Sequence, residues 1–192
     1  SYCAECHMKL ALGVAPESLD CVSVGTNHLT WALACYHQGR DVLPDIIDRL
    51  YSADGAPLLA SAPVAREIYE TFGLWPTGSE AHIAEFFNYF LTPETHGGAD
   101  YGLSIRHTTP EAHAALQQER RERADGARPV TDLLGPSGES AVEIIASVVG
   151  VEPPGVQMVN IPNEGLIVGL PDEAIVELPA YVSPAGVQGL KV

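Results

Sequence analysis

The stretch Val24-Gly25-Thr26-Asn27-His28-Leu29-Thr30-Trp31 constrains the fold of this chain more than any other. Cys21 to Thr26 has strand-forming composition. After it, Leu29, Leu33 and Tyr36 fall at helical spacing, and Gly39 supplies a stop. The pattern predicts a strand-to-helix junction that carries Asn27 and His28. Upstream lies Cys6-His7, a second pair of metal-binding types. The functional reading turns on whether Cys6 and His28 meet in space.

The rest of the chain is read from caps and periodicity. Residues 3–12 read as a short helix ending at Gly13, and Pro16 to Asp20 as a turn-rich connector. Pro44 opens a helix with Ile46, Ile47 and Leu50 inward. Ser61 reads as the cap of a helix with stripe Val64, Ile68 and Phe72, closed by Gly73. Ser79 reads as the cap of the next, which buries Ile83, Phe86, Phe87 and Phe90 and also carries His82, Glu85 and Tyr89. Residues 92–108 read as a loop. Thr109-Pro110-Glu111 starts a polar helix with a solvated Arg/Glu face that stops near Gly126. Residues 139–149 read as a helix with Val142, Ile145 and Val149 on one side. Val156 to Ile161, Leu166 to Val168 and Ile175 to Leu178 read as β segments. Helices first and strands later predict one α+β domain over residues 1–192.

Composition excludes several classes. The 192 residues are 46% hydrophobic and 18% charged, which predicts a packed core. A net charge of −15 argues against nucleic acid or an anionic membrane as partner. No apolar run reaches the roughly 20 residues of a membrane helix. No G-x-G-x-x-G occurs, so a nucleotide would need a partner domain. The chain starts without Met and ends without a natural stop, and reads as an excised fragment. Cys3, Cys6, Cys21 and Cys35 all lie in the first fifth. That clustering fits thiol or metal chemistry in a reduced, cytoplasmic setting better than a disulfide framework.

Cys3-Ala4-Glu5-Cys6-His7 has the spacing of a haem attachment site, but the axial ligand, Met158, would lie inside a strand pattern. Zinc on Cys3, Cys6, Cys21 and His28 fits no familiar spacing. Cys6 and His28 are too few for a structural metal, yet they suit a catalytic metal that keeps positions open for substrate oxygens. The alternative is a buried thiol and a hydrogen-bonded histidine. His82 and Tyr89, about two turns apart on one helix, would both face a cleft. Asn163 lies in the turn Asn160 to Gly165, where Asn is usually chosen for the backbone. His37, His96, His107 and His113 read as surface residues.

Taken in order, these pieces resemble the C-terminal catalytic half of the family 4 glycoside hydrolases. The matching segments are Cys6-His7; Gly25 to His28 with Trp31; Gly39-Arg40-Asp41 with Pro44; Arg66-Glu67 with Phe72-Gly73; His82 with Glu85-Phe86 and Tyr89-Phe90; Val159 to Asn163 with Gly165; and Leu170-Pro171 with Val176 to Ala180. The resemblance implies an α+β fold like the C-terminal domains of lactate and malate dehydrogenases. It implies hydrolysis of an α-galactoside, α-glucoside or uronide with NAD and a divalent metal, usually Mn2+. In that route the sugar C3 hydroxyl is oxidised, a base removes the C2 proton, the aglycone is eliminated, water adds and the ketone is reduced. Cys6 and His28 would hold the metal. Asn27, His82 and Asn163 would contact the sugar, and His7 after Cys6 is similar to the branch acting on unphosphorylated sugars, with His7 as acid. The family often has Tyr as the base where Phe86 stands; here either Tyr89, the nearest phenol, takes that role, or the base lies elsewhere, or this member is altered. The implied partners are a sugar, an N-terminal NAD-binding domain and further copies in a homo-oligomer. The isolated chain is expected to be inactive. Two alternatives stay open: half of a 2-hydroxy acid dehydrogenase-like oxidoreductase, needing an Arg clamp, and a non-catalytic metal-binding domain.

Overall fold

The computed structural model describes residues 12–14, 18–103, 109–131 and 140–192. Cys3, Cys6, His7 and His107 lie outside the described residues, as does nearly all of the helix expected over 3–12. Strand β1 (Leu19–Thr26) is where it was expected, but it is followed by a second strand, β2 (Leu29–His37). The two pair antiparallel from Leu19↔His37 to Thr26↔Leu29, closed by the two-residue turn Asn27-His28. The helical spacing of Leu29, Leu33 and Tyr36 comes from a β-bulge. Val22 pairs with Ala34 and Ser23 with Ala32, so Leu33 is the extra residue. Before the bulge Thr30 and Ala32 are buried; after it the phase shifts and Cys35 is buried. A period of two with one slip mimics a period near 3.6. Gly39 is no helix stop: Gln38 and Gly39, with φ of 51° and 78°, turn the chain into β3 (Arg40–Asp41).

Helices then cover one part of the sheet. They are α1 (Leu43–Leu50), α2 (Ala56–Ala60), α3 (Pro63–Phe72) and α4 (Glu80–Phe86). Ile46, Leu50, Val64, Ile68, Ile83 and Phe90 pack with Ala32 and Cys35 in the main core. Phe72 and Phe86, expected inside, are exposed. Ser61 does not cap α3; its hydroxyl donates to Leu58 O instead. Helix α5 (Pro110–Ala124) starts at Thr109 as expected and buries no residue. Helix α6 (Ala141–Val148) leaves Val142 and Ile145 exposed, as is Val149 just beyond it.

Three more strands return: β4 (Gly155–Pro162), β5 (Ile175–Ser183) and β6 (Gly186–Gly189). Leu166 to Val168 form turns rather than a strand. The sheet order is β3-β2-β1-β5-β4, with β6 also on β5, and every pairing is antiparallel. β5 joins β1 through Gly25↔Glu177, so the two ends of the described chain close one sheet. Val24, Val176 and Leu178 form a smaller core there. The class is α+β, as expected, although strands come first.

Candidate functional site

Asn27 and His28 sit exposed at the tip of the β1–β2 hairpin. His28 has φ of 69°, a left-handed conformation that histidine adopts more readily than most residues. Gly25 lets the hairpin close, because a Cβ there would lie on Leu29 O and 2.9 Å from Thr30 Cα.

The chain returns to this tip at residues 75–78. Ala32 N donates to Trp75 O at 2.9 Å, and Thr77 N donates to Thr30 O at 2.8 Å. Trp31 and Pro76 form a bridge between them. The buried hydroxyls of Thr30 and Thr77 hydrogen-bond to each other. Ser79 then caps α4 as expected, accepting from His82 N at 3.3 Å. His82, the third residue of α4, stacks on His28, with ring centroids 4.1 Å apart and planes 16° apart.

Glu80 ties α4 to α3. Ala62, at the N-cap of α3, offers no side-chain acceptor. The Glu80 carboxylate accepts from Val64 N at 2.7 Å and Ala65 N at 3.2 Å, capping α3 from sixteen and fifteen residues away. Burial raises its pKa, an effect only partly offset by those two hydrogen bonds.

Tyr89 is not on the helix of His82. Phe87 is extended (φ −122°, ψ 95°) and ends α4, because Phe90 must turn into the core on a separate 3-10 turn, Asn88–Phe90. Phe86, one turn after His82 and exposed, shares that residue's face of the helix instead. Tyr89 packs on Phe90 at 4.4 Å between centroids. Its pKa is raised, first by burial and then by the Glu67 carboxylate, which accepts from Tyr101 OH at 3.0 Å. Tyr89 therefore holds its proton at neutral pH and is a donor there, not a ready base.

Asn163 is fully buried. Its Nδ2 donates to Ile167 O and Leu170 O at 3.1 and 3.0 Å, and its Oδ1 accepts from Ile167 N at 2.7 Å. Both amide hydrogens are spent on the 163–170 turns, so the side chain has no face left for a sugar.

The structure thus brings His28 and His82 together, with Asn27 next to His28 at the tip. Among the described residues no three His, Cys, Asp or Glu cluster as a closed metal site. His28 nonetheless fits an open one. Stacking covers a face of its ring, while the lone pair of its unprotonated nitrogen lies in the ring plane. An apolar recess of about 300 Å³ lies elsewhere, lined by Leu33, Leu43, Ile47, Tyr69 and Trp75 among others, and none of the candidates lines it. Arg66, the nearest thing to a clamp in the matched segments, pairs with Glu70 at 4.0 Å on its own helix.

A family model described as the family 4 glycosyl hydrolase C-terminal domain matches residues 23–192. The alpha-galacturonidase of Bacillus subtilis (strain 168) is 31% identical over 181 residues, covering 86% of this chain and 39% of the relative. The alpha-galactosidase of Rhizobium meliloti (strain 1021) is 25% identical over 191 residues, covering 92% and 37%. The chain therefore spans about two fifths of the length of these relatives. Among solved structures, the Bacillus subtilis protein lplD, assigned as a glucosidase, superposes with a TM-score of 0.69 at 26% identity, covering 99% of this chain and 48% of that one. A 6-phospho-alpha-glucosidase from gut microorganisms, in complex with NAD and Mn2+, gives 0.61 at 21% identity, covering 99% and 45%; it shares the fold.

Proposed function

The chain belongs to the family 4 glycosyl hydrolases through their C-terminal domain, and from that premise we propose that it supplies the metal- and sugar-binding half of an NAD- and divalent-metal-dependent glycosidase. The observation that carries this reading is the His28–His82 stack at the hairpin tip, which presents an imidazole edge with no metal-binding cluster around it among the described residues. An unphosphorylated α-galactoside or α-galacturonide is the substrate class, supported by the names of the two relatives and by His7 following Cys6.

Cys6 and His28 are the ligands of Mn2+ or a similar ion. Held there, the ion would supply Lewis-acid polarisation of sugar oxygens, and a dinucleotide held by the partner domain would supply hydride acceptance and return. Asn27 donates a hydrogen bond to a sugar hydroxyl. His82 braces the His28 ring and lies against the sugar. His7 protonates the leaving oxygen. Tyr89 is the phenol assigned to proton transfer at C2; burial and the Glu67 carboxylate raise its pKa, so it acts as a base there only beside a bound cation that lowers it. A dinucleotide-binding partner domain completes the site.

The experiment uses the longer protein that carries this chain. It is stripped with EDTA and freed of NAD, then assayed on aryl α-galactoside and α-galacturonide. Activity should return only with Mn2+ and NAD+ together. Cys6→Ser and His28→Ala should abolish it while NAD binding persists. Full activity after both removals would sink the reading.

A further inference from the structure

We propose that Thr77 and Gly78 are positioning residues that hold the His28 ring in its plane against His82; the proposal rests on the reading of His28 as a metal ligand. A two-residue turn at an exposed hairpin tip has little of its own to fix its side chains. Here the 75–78 segment fixes it from the side. The Ala32–Trp75 and Thr77–Thr30 backbone hydrogen bonds run along β2 toward the tip, and the Thr30–Thr77 hydroxyl pair closes that ladder inside the protein.

At Gly78 the two backbones touch. A Cβ there would fall on His28 O and 3.1 Å from Ile83 Cγ1. Gly78 is not among the glycines with positive φ, so the left-handed region is not what calls for glycine here. Glycine is needed at this position for space alone. A methyl group must push the His28 carbonyl away from α4, and the ring with it. The circuit is short: from His28 to Thr30 along β2, across the hydroxyl pair to Thr77, through Gly78 and the Ser79 cap to His82, and back by the ring stack.

The stack also separates the roles of the two histidines. In nearly parallel rings 4.1 Å apart the two in-plane lone pairs lie in separate, nearly parallel planes and do not converge on one ion. His82 in this pose sets the direction of the His28 lone pair and is not a second ligand beside it. Partners that orient a ligand in this way are typically worth about 10- to 100-fold in metal affinity.

The test uses this chain with Thr77→Val, Thr77→Ser and Gly78→Ala. Two quantities are read: the nuclear Overhauser effect between the ring protons of His28 and His82, and Mn2+ affinity from the free-ion EPR signal. Urea midpoints show which variants fold. Wild type should give the ring-to-ring effect. Thr77→Ser keeps the hydroxyl and should keep both readouts. Thr77→Val and Gly78→Ala should lose the effect and weaken Mn2+ binding about tenfold or more. Should Gly78→Ala not fold, the Thr77 pair still decides. Unchanged ring contacts in the folded variants overturn the proposal, as does a wild type without the contact. If the ring contact follows the variants but His28→Ala leaves Mn2+ affinity unchanged, the ligand reading falls and the positioning role stands.

Discussion

Removing the Glu80 carboxylate tests how α3 and α4 are joined. In Glu80→Ala the N–H groups of Val64 and Ala65 lose their acceptor, and Ala62 has nothing to offer in exchange. Two partly buried bonds at about 1 kcal/mol each predict a loss of about 2 kcal/mol, in line with loss of an N-cap. For a domain of this size that is about 4–8 °C in Tm. Glu80→Gln keeps one acceptor oxygen for one of the two N–H groups, turns an NH2 toward the other, and has no charge to desolvate, so it should cost about 1 kcal/mol, less than Glu80→Ala. The pH dependence separates the two effects. Burial raises the folded-state pKa above the unfolded value, so the folded chain binds the proton more readily. The resulting stability is fully present below the ordinary carboxylate pKa. It is lost as pH rises through the raised value. Wild type should therefore gain on Glu80→Gln as pH falls through that window. Urea unfolding followed by far-ultraviolet circular dichroism, with m unchanged, measures all of this. A Glu80→Ala midpoint equal to wild type, or a Glu80→Gln loss equal to that of Glu80→Ala, refutes the capping account.

Asn163→Ala should destabilise the chain by about 3 kcal/mol in the same urea assay, because three hydrogen bonds from a fully buried side chain are lost and Ile167 N, Ile167 O and Leu170 O lose that partner; a loss under about 1 kcal/mol would mean that water replaces the amide. Tyr51, with its pKa pushed up to about 12 by burial and the Glu70 carboxylate, should ionise in a late phase of a 295 nm titration, and its contribution to stability should be intact below pH about 10 and vanish as pH passes about 12; Tyr51→Phe should diminish that late phase. Phe86→Tyr, which puts a phenol on the helix face of His82, should raise kcat of the longer protein by about 100-fold if a proton acceptor is wanted there, whereas an unchanged kcat would leave the role with Tyr89.

Local signals were legible in the sequence. Ser79 and Thr109 cap the helices that follow them, and Gly73 ends α3 with φ of 72°, because each acts within a few residues of itself. The Asn27-His28 pair and His82 stood out by residue type, and the structure stacks His28 on His82. The hairpin was not, since the Leu33 bulge shifts the phase of burial in mid-strand and imitates a helix. Nor was the site's scaffold. Thr30 meets Thr77 across 47 residues, and Glu80 reaches back to Val64. Nothing beside either residue announces its partner. Asn163 was correctly placed at a turn, but its choice by the backbone proved to be its whole observed chemistry.

The central claim is that this chain serves a redox-assisted elimination and not direct displacement at the anomeric carbon. Running the longer protein on its α-galactoside or α-galacturonide in D2O tests this most directly. Removal of the C2 proton and its return from solvent predict deuterium at C2 of the released sugar, seen by NMR as loss of the C2 proton signal. Release of the sugar with C2 still fully protonated would contradict the account.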